Sequence, residues 1–598
     1  MTGIRYKIPM LSARAMLAFA KPLDEDVYSF ILNKAETTSV LLNHGETYQD
    51  DNAVFYQLMS MLHRDGYSLK DELIIEDLYD VIIYLDFSGI FDRSAKYPKN
   101  ALRQKKAESM FRDGGITLDL GNGPQKYLAF ERSASMSRNA KLSFVRADLY
   151  DEITQRITFN LKNDICELSK LYAYNGLLFS SGIRVEPDDE YFLKNVAIVP
   201  NPKHITSNVS YVTVTDVSGE GNIRKYERTE CTGDIETTRF DGMGLISPEF
   251  AREIDSKIGS KKEHTSFQIR MPYIKGMVHK TDFKTLFKEA GVKTITDIWG
   301  TEHDVNNLYM ILTESQFKGY KWLKKHGTTW DTYAHLCHYF RHTIYITNAS
   351  KTEAEDTTEL NYQFLNTFKM LSSEFRPDDL PSGWESSPAE DNRKWLTKPT
   401  EQRYYELRRD KEARIKYFTD KADEWTFGRK SRSYHLAELL RRNPKFINEP
   451  YFVRQLNDAA ESLLKDYSIG RLLVDGDNRF FAADIMELFY ELVRDNGGRP
   501  NVLSKLKNEC LKADEFYAPG AVYSEQNIYA LLRNPHIARN EEAVFTHLFL
   551  SFTVSSRTLL MKTVQAGITD TFILIQITSK RTKRILQRSF TDLPKRRP

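Results

Sequence analysis

Residues 267–283 read Phe267-Gln-Ile-Arg270-Met-Pro-Tyr-Ile-Lys275-Gly276-Met-Val-His-Lys280-Thr-Asp-Phe283. Apolar positions at strand spacing are interrupted by a Lys-Gly pair, which predicts a cation presented at a sharp bend. A buried strand gains nothing from Arg270 or Lys275 unless an anion meets them, because an unpaired cation out of water is costly. The stretch is therefore read as strand structure built to face negative charge.

On either side of it, residues 191–347 form a β-rich region. Segments 196–200 and 211–215 are β-branched or alternating, and 285–290 and 330–341 read as helical insertions. Residues 1–190 mix helix and strand patterns. Within them, 71–91 begins at helical spacing and ends in a β-branched run, and 170–182 reads as a strand leading to a turn. Residues 348–400 are polar and proline-interrupted, as in a linker or surface insertion. Residues 401–515 are helical, and 516–598 return to short β-prone segments before a basic tail. The expected fold class is mixed α/β, in several domains.

Composition narrows the function less than the motifs do. The chain has 598 residues, 41% apolar and 28% charged, with a formal net charge of only +2, so a nucleic-acid surface must be a local patch. Four scattered cysteines, at 166, 231, 337 and 510, argue against a disulfide framework or a zinc ribbon. No apolar run approaches the ~20 residues of a membrane span, and no secretory signal is visible. The expected location is the cytoplasm.

Two further segments carry chemistry. Asp241-Gly-Met-Gly-Leu-Ile-Ser-Pro248 places flexible glycines ahead of a helix start at Ser247-Pro248. Leu532-Arg533-Asn-Pro-His-Ile-Ala-Arg539 is a proline loop carrying two arginines. In their order along the chain, with 267–283 between them, the three segments resemble the two-barrel RNA-dependent RNA polymerases of RNA silencing and their bacterial and phage relatives.

That resemblance implies a double-psi β-barrel polymerase core. A first barrel would span 191–347, a helical bridge 401–515, and the start of a second barrel 516–598, behind an α/β N-terminal region. It implies transfer of nucleotides from nucleoside triphosphates to an RNA 3′-end on an RNA or DNA template. Lys275 inherits the phosphate-contacting role, Lys318 that of a second barrel lysine, and Arg533 that of positioning the nucleotide. Arg270, Lys280 and Arg539 are supporting phosphate contacts. Fixed cations suit phosphoryl transfer, which is catalysed mostly by positioning and charge stabilisation.

Magnesium is also implied, held in the family by an Asp-x-Asp-Gly-Asp loop after the Arg-Asn-Pro loop. Here that interval supplies one acid, Asp570. Asp475 and Asp477, in Leu473-Val-Asp-Gly-Asp477, resemble part of the loop but precede the Arg-Asn-Pro segment; a turn and helix start also explains them. From Lys580 onward eight cations face one acid, Asp592. The expectation is a truncated or degenerate copy, with catalysis by this chain left open and a non-catalytic nucleic-acid-binding remnant as an alternative. His335, Cys337, His338 and His342 could offer zinc ligands, or could belong to a packed aromatic helix.

Overall fold

The computed structural model describes most of residues 5–500, with short breaks and longer ones at 64–74, 360–388 and 424–431, together with short strands between 543 and 576. The N-terminal region is α/β. Its larger sheet has six strands, in the order Met10–Ser12, Ile82–Asp86, Lys141–Arg146, Pro124–Ala129, Ile116–Asp119 and Ile31–Leu32. Helix α1 (Ala53–His63) is buried along most of its length, with Val54, Phe55, Leu58 and Met59 in one cluster with Tyr6, Phe130 and Phe179.

Two local expectations fail here. The helical spacing in the first half of 71–91 gives way to a strand at Ile75–Asp77, while the β-branched run after it is a strand as expected, Ile82–Asp86, paired antiparallel with Lys141–Arg146. Residues 170–182 are not a strand but a helix, Leu168–Asn175, continued by a 3₁₀ turn at Gly176–Phe179. Position 176 lies so close to the backbone of residue 132 that a Cβ would meet Arg132 O at 2.0 Å. This contact was invisible in local sequence.

A seven-stranded mixed sheet follows. Its strands are β1 (Ile183–Val185), β2 (Val196–Val199), β3 (Met243–Ile246), β4 (Ser266–Met271), β5 (Ile274–Lys280), β6 (Met310–Thr313) and β7 (Ile344–Ala349). They lie in the order β1-β7-β4-β5-β3-β6-β2, with β5/β3 and β6/β2 parallel and the remaining pairs antiparallel. The sheet already includes residues 183–185, so the expected boundary at 190 falls inside it.

Alternation assigns the two faces. Phe267, Ile269, Ile274, Val278, Ile344 and Ile346 form one apolar face against helices α2 (Pro248–Lys257) and α4 (Trp330–Tyr339). On the other face, Ala197, Val199, Met243, Leu245 and Ile311 pack on α3 (Phe283–Ala290), while Tyr345 joins the α1 cluster. Between those two zones the second face carries Gln268, Arg270, Lys275, Met277 and His279.

The stretch 211–215 lies outside this sheet. It belongs to a long hairpin, His204–Ser218 with Arg224–Thr237, whose strands pair only with each other among the described residues. Beyond the sheet, α5 (Ala389–Arg409) begins inside the expected linker. Strand β8 (Leu473–Ala482) interrupts the expected helical bridge and pairs with Thr357–Glu359 and Thr571–Gln576. Helix α6 (Ile485–Asp495) then returns to the seven-stranded sheet through Leu488 and Phe489.

Candidate phosphate-facing site

The bend in the opening stretch falls three residues earlier than expected. Met271 pairs with Ile274 across a two-residue turn, Pro272-Tyr273, and Tyr273 adopts φ +59°. Proline supplies the fixed first corner. Tyr273 is held in its unusual conformation by its hydroxyl, which donates to Thr158 O at 2.9 Å. Lys275-Gly276 therefore lies within β5 rather than at a turn.

Gly276 has a different task. A Cβ there would meet Gly242 O at 2.2 Å and the Gln316 side chain at 2.5 Å. Gly244, on the adjacent strand, would likewise meet Gln316 Oε1 at 2.3 Å. The two missing side chains make room for Gln316, which is fully buried. Its Nε2 donates to Met277 O at 3.0 Å and its Oε1 accepts from Thr313 N at 3.2 Å. The Gly242 turn, at φ +70°, is fixed by Gly242 N donating to Ser315 Oγ (2.9 Å), while Met277 N donates to Gly242 O (2.7 Å).

This packing sets two lysines on neighbouring backbone segments. Lys275 N donates to Gln316 O, Ile274 bridges Phe317, and Lys318 N donates to Tyr273 O. Both lysines are half-buried. Arg270 stands directly opposite Lys275 on β4 and is 7% exposed. Burial alone pushes its guanidinium down to about 10, still charged at neutral pH. Lys280 points elsewhere, paired with Glu263 at 2.9 Å. His279 shares a 2.8 Å hydrogen bond with Ser266 across the strand pair, and burial pushes its imidazole down to about 4, so it is neutral at pH 7.

Arg533, Arg539 and Asp570 lie outside the described residues. Asp475 and Asp477 are on β8, a strand rather than the turn and helix start that local sequence suggested. Among the described residues no group of three His, Cys, Asp or Glu side chains could hold a metal ion. The histidine-rich segment disperses accordingly. Cys337 is buried, His342 donates to Arg156 O at 2.9 Å, His338 stacks on Tyr191, and His335 is exposed.

Sequence reading missed Arg184, on β1, and Gln316. Arg184 carries the same signal as Arg270, a cation between apolar residues of a strand. Gln316 had none, since its importance comes from glycines far away in the chain.

Comparison with known proteins agrees with this core. The sequence model described as RNA dependent RNA polymerase matches residues 83–457, well over half of the chain. The DNA-directed RNA polymerase YonO of Bacillus phage SPbeta is 23% identical over 430 residues, covering 69% of this chain and 43% of the phage protein. The structure of the RNA-dependent RNA polymerase QDE-1 from Thielavia terrestris aligns with 12% identity and a TM-score of 0.39, covering 80% of this chain and 43% of that one. The chain thus spans less than half the length of either. No helix among the described residues is long and apolar enough to cross a membrane. Residues 83–457 include all seven strands and both lysines, and on that match the chain belongs to the RNA-dependent RNA polymerase family.

Proposed function

We propose that this chain takes part in template-directed nucleotidyl transfer, joining nucleotides from nucleoside triphosphates to an RNA 3′-end. The observation that supports it is the family match over 83–457, inside which Lys275, Arg270 and the backbone of Lys318 are drawn together. In this reading the seven-stranded sheet is the first barrel of the polymerase core. Lys275 and Lys318 balance phosphate charge, and Arg270 supports them from the adjacent strand. Such groups act by standing in place before charge develops, so they cost no reorganisation during the reaction. Arg533 would position the nucleotide.

Magnesium is part of the proposal through the family. Among the described residues no group of three His, Cys, Asp or Glu side chains assembles a site for it. The test is extension of a primed template by the full chain. Lys275→Ala should lower the rate by about 100-fold or more, the usual cost of removing one preorganised charge donor. Undiminished extension by that variant ends the assignment.

A DNA template is the second reading, favoured by the phage relative's description as DNA-directed. Parallel assays on RNA and DNA templates of one sequence separate the two.

A further inference from the structure

The hairpin outside the seven-stranded sheet is bare on both faces. Val212 and Thr213 are successive residues of the strand His204–Ser218, so they project to opposite sides of the ribbon. Both are exposed, Val212 by 48%. Thr229 and Glu230, the residues opposite them in register, are exposed as well. Among the described residues no other layer covers this part of the ribbon, and neither strand has an outer neighbour. The base is tied down: Asn201 donates to Phe240 O at 3.3 Å, and Lys203 pairs with Glu236 at 2.9 Å. Two strands by themselves are marginal in water, and a third strand or a packed layer is what makes such a unit stable.

The two strands differ as edges. The register shifts between Thr206 and Val209, where Asn208 takes φ +57° and its N–H donates to Asp234 Oδ1 at 3.1 Å. Beyond that irregularity the first strand reads Val209-Ser-Tyr-Val-Thr-Val-Thr215, seven residues without a charge, a proline or a glycine. The opposite strand, Arg224–Thr237, has seven charged residues among its fourteen. Charges along an edge are one means by which exposed strands are kept from pairing. By that measure the second edge is guarded and the first is open. A neutral run of about seven residues, rich in β-branched side chains, is also the composition that pairs most readily with copies of itself. At about 3.4 Å per residue it offers about 24 Å of backbone edge.

We propose that residues 209–215 are a self-association edge: two copies of the chain pair these strands antiparallel about a two-fold axis, joining two ribbons into one four-stranded sheet. A second copy is the occupant that the charge pattern selects. An edge without charge has nothing with which to choose an acidic or a basic strand, whereas two neutral strands meet with no like charges opposed. Two-fold pairing also makes every contact twice. With Val212 at the axis, residue 212 of one copy stands opposite 212 of the other, and every other pair across 209–215 joins uncharged residues. One shared edge lies at the small end of specific interfaces, so the dimer is weak and grows with concentration.

The test is sedimentation velocity on the full chain across the micromolar range. Wild type should pass from monomer to dimer as its concentration rises. Val212→Lys sets two ammonium groups opposite each other at the axis and should weaken the dimer by about 10-fold or more. Val212→Thr, still β-branched and neutral, should keep it. So should Thr232→Lys, which adds the same charge at an exposed position of the guarded strand. Val212→Cys supplies a geometric readout, because residues opposed across an antiparallel pair lie about 4.5–5.5 Å apart at Cα, within disulfide reach. Mild oxidation should join two copies of that variant well above the wild-type background, while Thr229→Cys should stay at the background. Wild type that is monomeric throughout, a dimer untouched by Val212→Lys, or equal cross-linking by the two cysteine variants would each overturn the proposal. Slow hydrogen exchange at 209–215 in a monomeric wild type would overturn it as well, by showing that the same chain covers its own edge.

Discussion

A single methyl group added at Gly276 would have to displace Gly242 O, which is held at 2.7 Å by Met277 N, or the buried Gln316 side chain. Neither can give way without losing a hydrogen bond. Gly276→Ala should therefore destabilise the chain by about 2–3 kcal/mol, as overpacking a tight site does. It should also lower extension of a primed template, because Lys275 is the adjacent residue. Urea unfolding and the extension assay check the two effects separately. Stability within a few tenths of wild type would mean that the strand can shift without cost. The choice of glycine at 276 was readable as a break in an apolar strand; that it admits a glutamine from forty residues downstream was not.

At the scale of elements, the strands nearest the site were the most legible. The apolar spacing of 267–280 predicts strands, and both β4 and β5 lie there. Ser247-Pro248 predicts a helix start, and Ser247 Oγ accepts from Phe250 N at 3.2 Å with proline in the first turn. The turn was placed three residues late because Lys275-Gly276 looks like a bend while Pro272-Tyr273 makes it. The hairpin 204–237 was drawn into the sheet because a strand's own pattern does not name its partner. Another join is purely tertiary. Gln57 in α1, 1% exposed, donates to Phe340 O at 2.7 Å and accepts from Arg156 Nη1 at 3.1 Å. Gln57→Leu would strand both partners, with an expected loss of about 2–3 kcal/mol. Hydrogen exchange should then quicken in α1 and around 340–342 together; a change confined to α1 would show that the contact does not couple the two regions.

For the molecule as a whole, three buried titrating groups set an expected pH profile. His279 and His342 are pushed by burial from 6.5 down to about 4, so the unfolded chain binds more protons than the folded one between those values. Each then contributes about 1.4 kcal/mol of stability per pH unit of rise across that window. Glu131 is pushed by burial from 4.5 up to about 8, so it acts in the opposite direction: the folded state holds the extra proton and loses stability as pH rises. From about pH 4.5 to 6.5 the two histidines outweigh the glutamate, and above 6.5 Glu131 acts alone. Melting temperature should therefore peak near pH 6.5. Glu131→Gln should remove the decline on the alkaline side; an unchanged decline would locate it in other groups.

The strand order of the large sheet has one more effect, on biosynthesis. Among the described residues Ile183–Val185 pairs with one strand, Ile344–Ala349, about 160 residues downstream. At ordinary elongation rates a ribosome needs roughly ten to thirty seconds to deliver that neighbour. Until then the Arg184 guanidinium lacks the Arg341 carbonyl, and Ile183 and Val185 lack the strand they pair with. Newborn chains stalled before residue 344 should be the ones that chaperones capture.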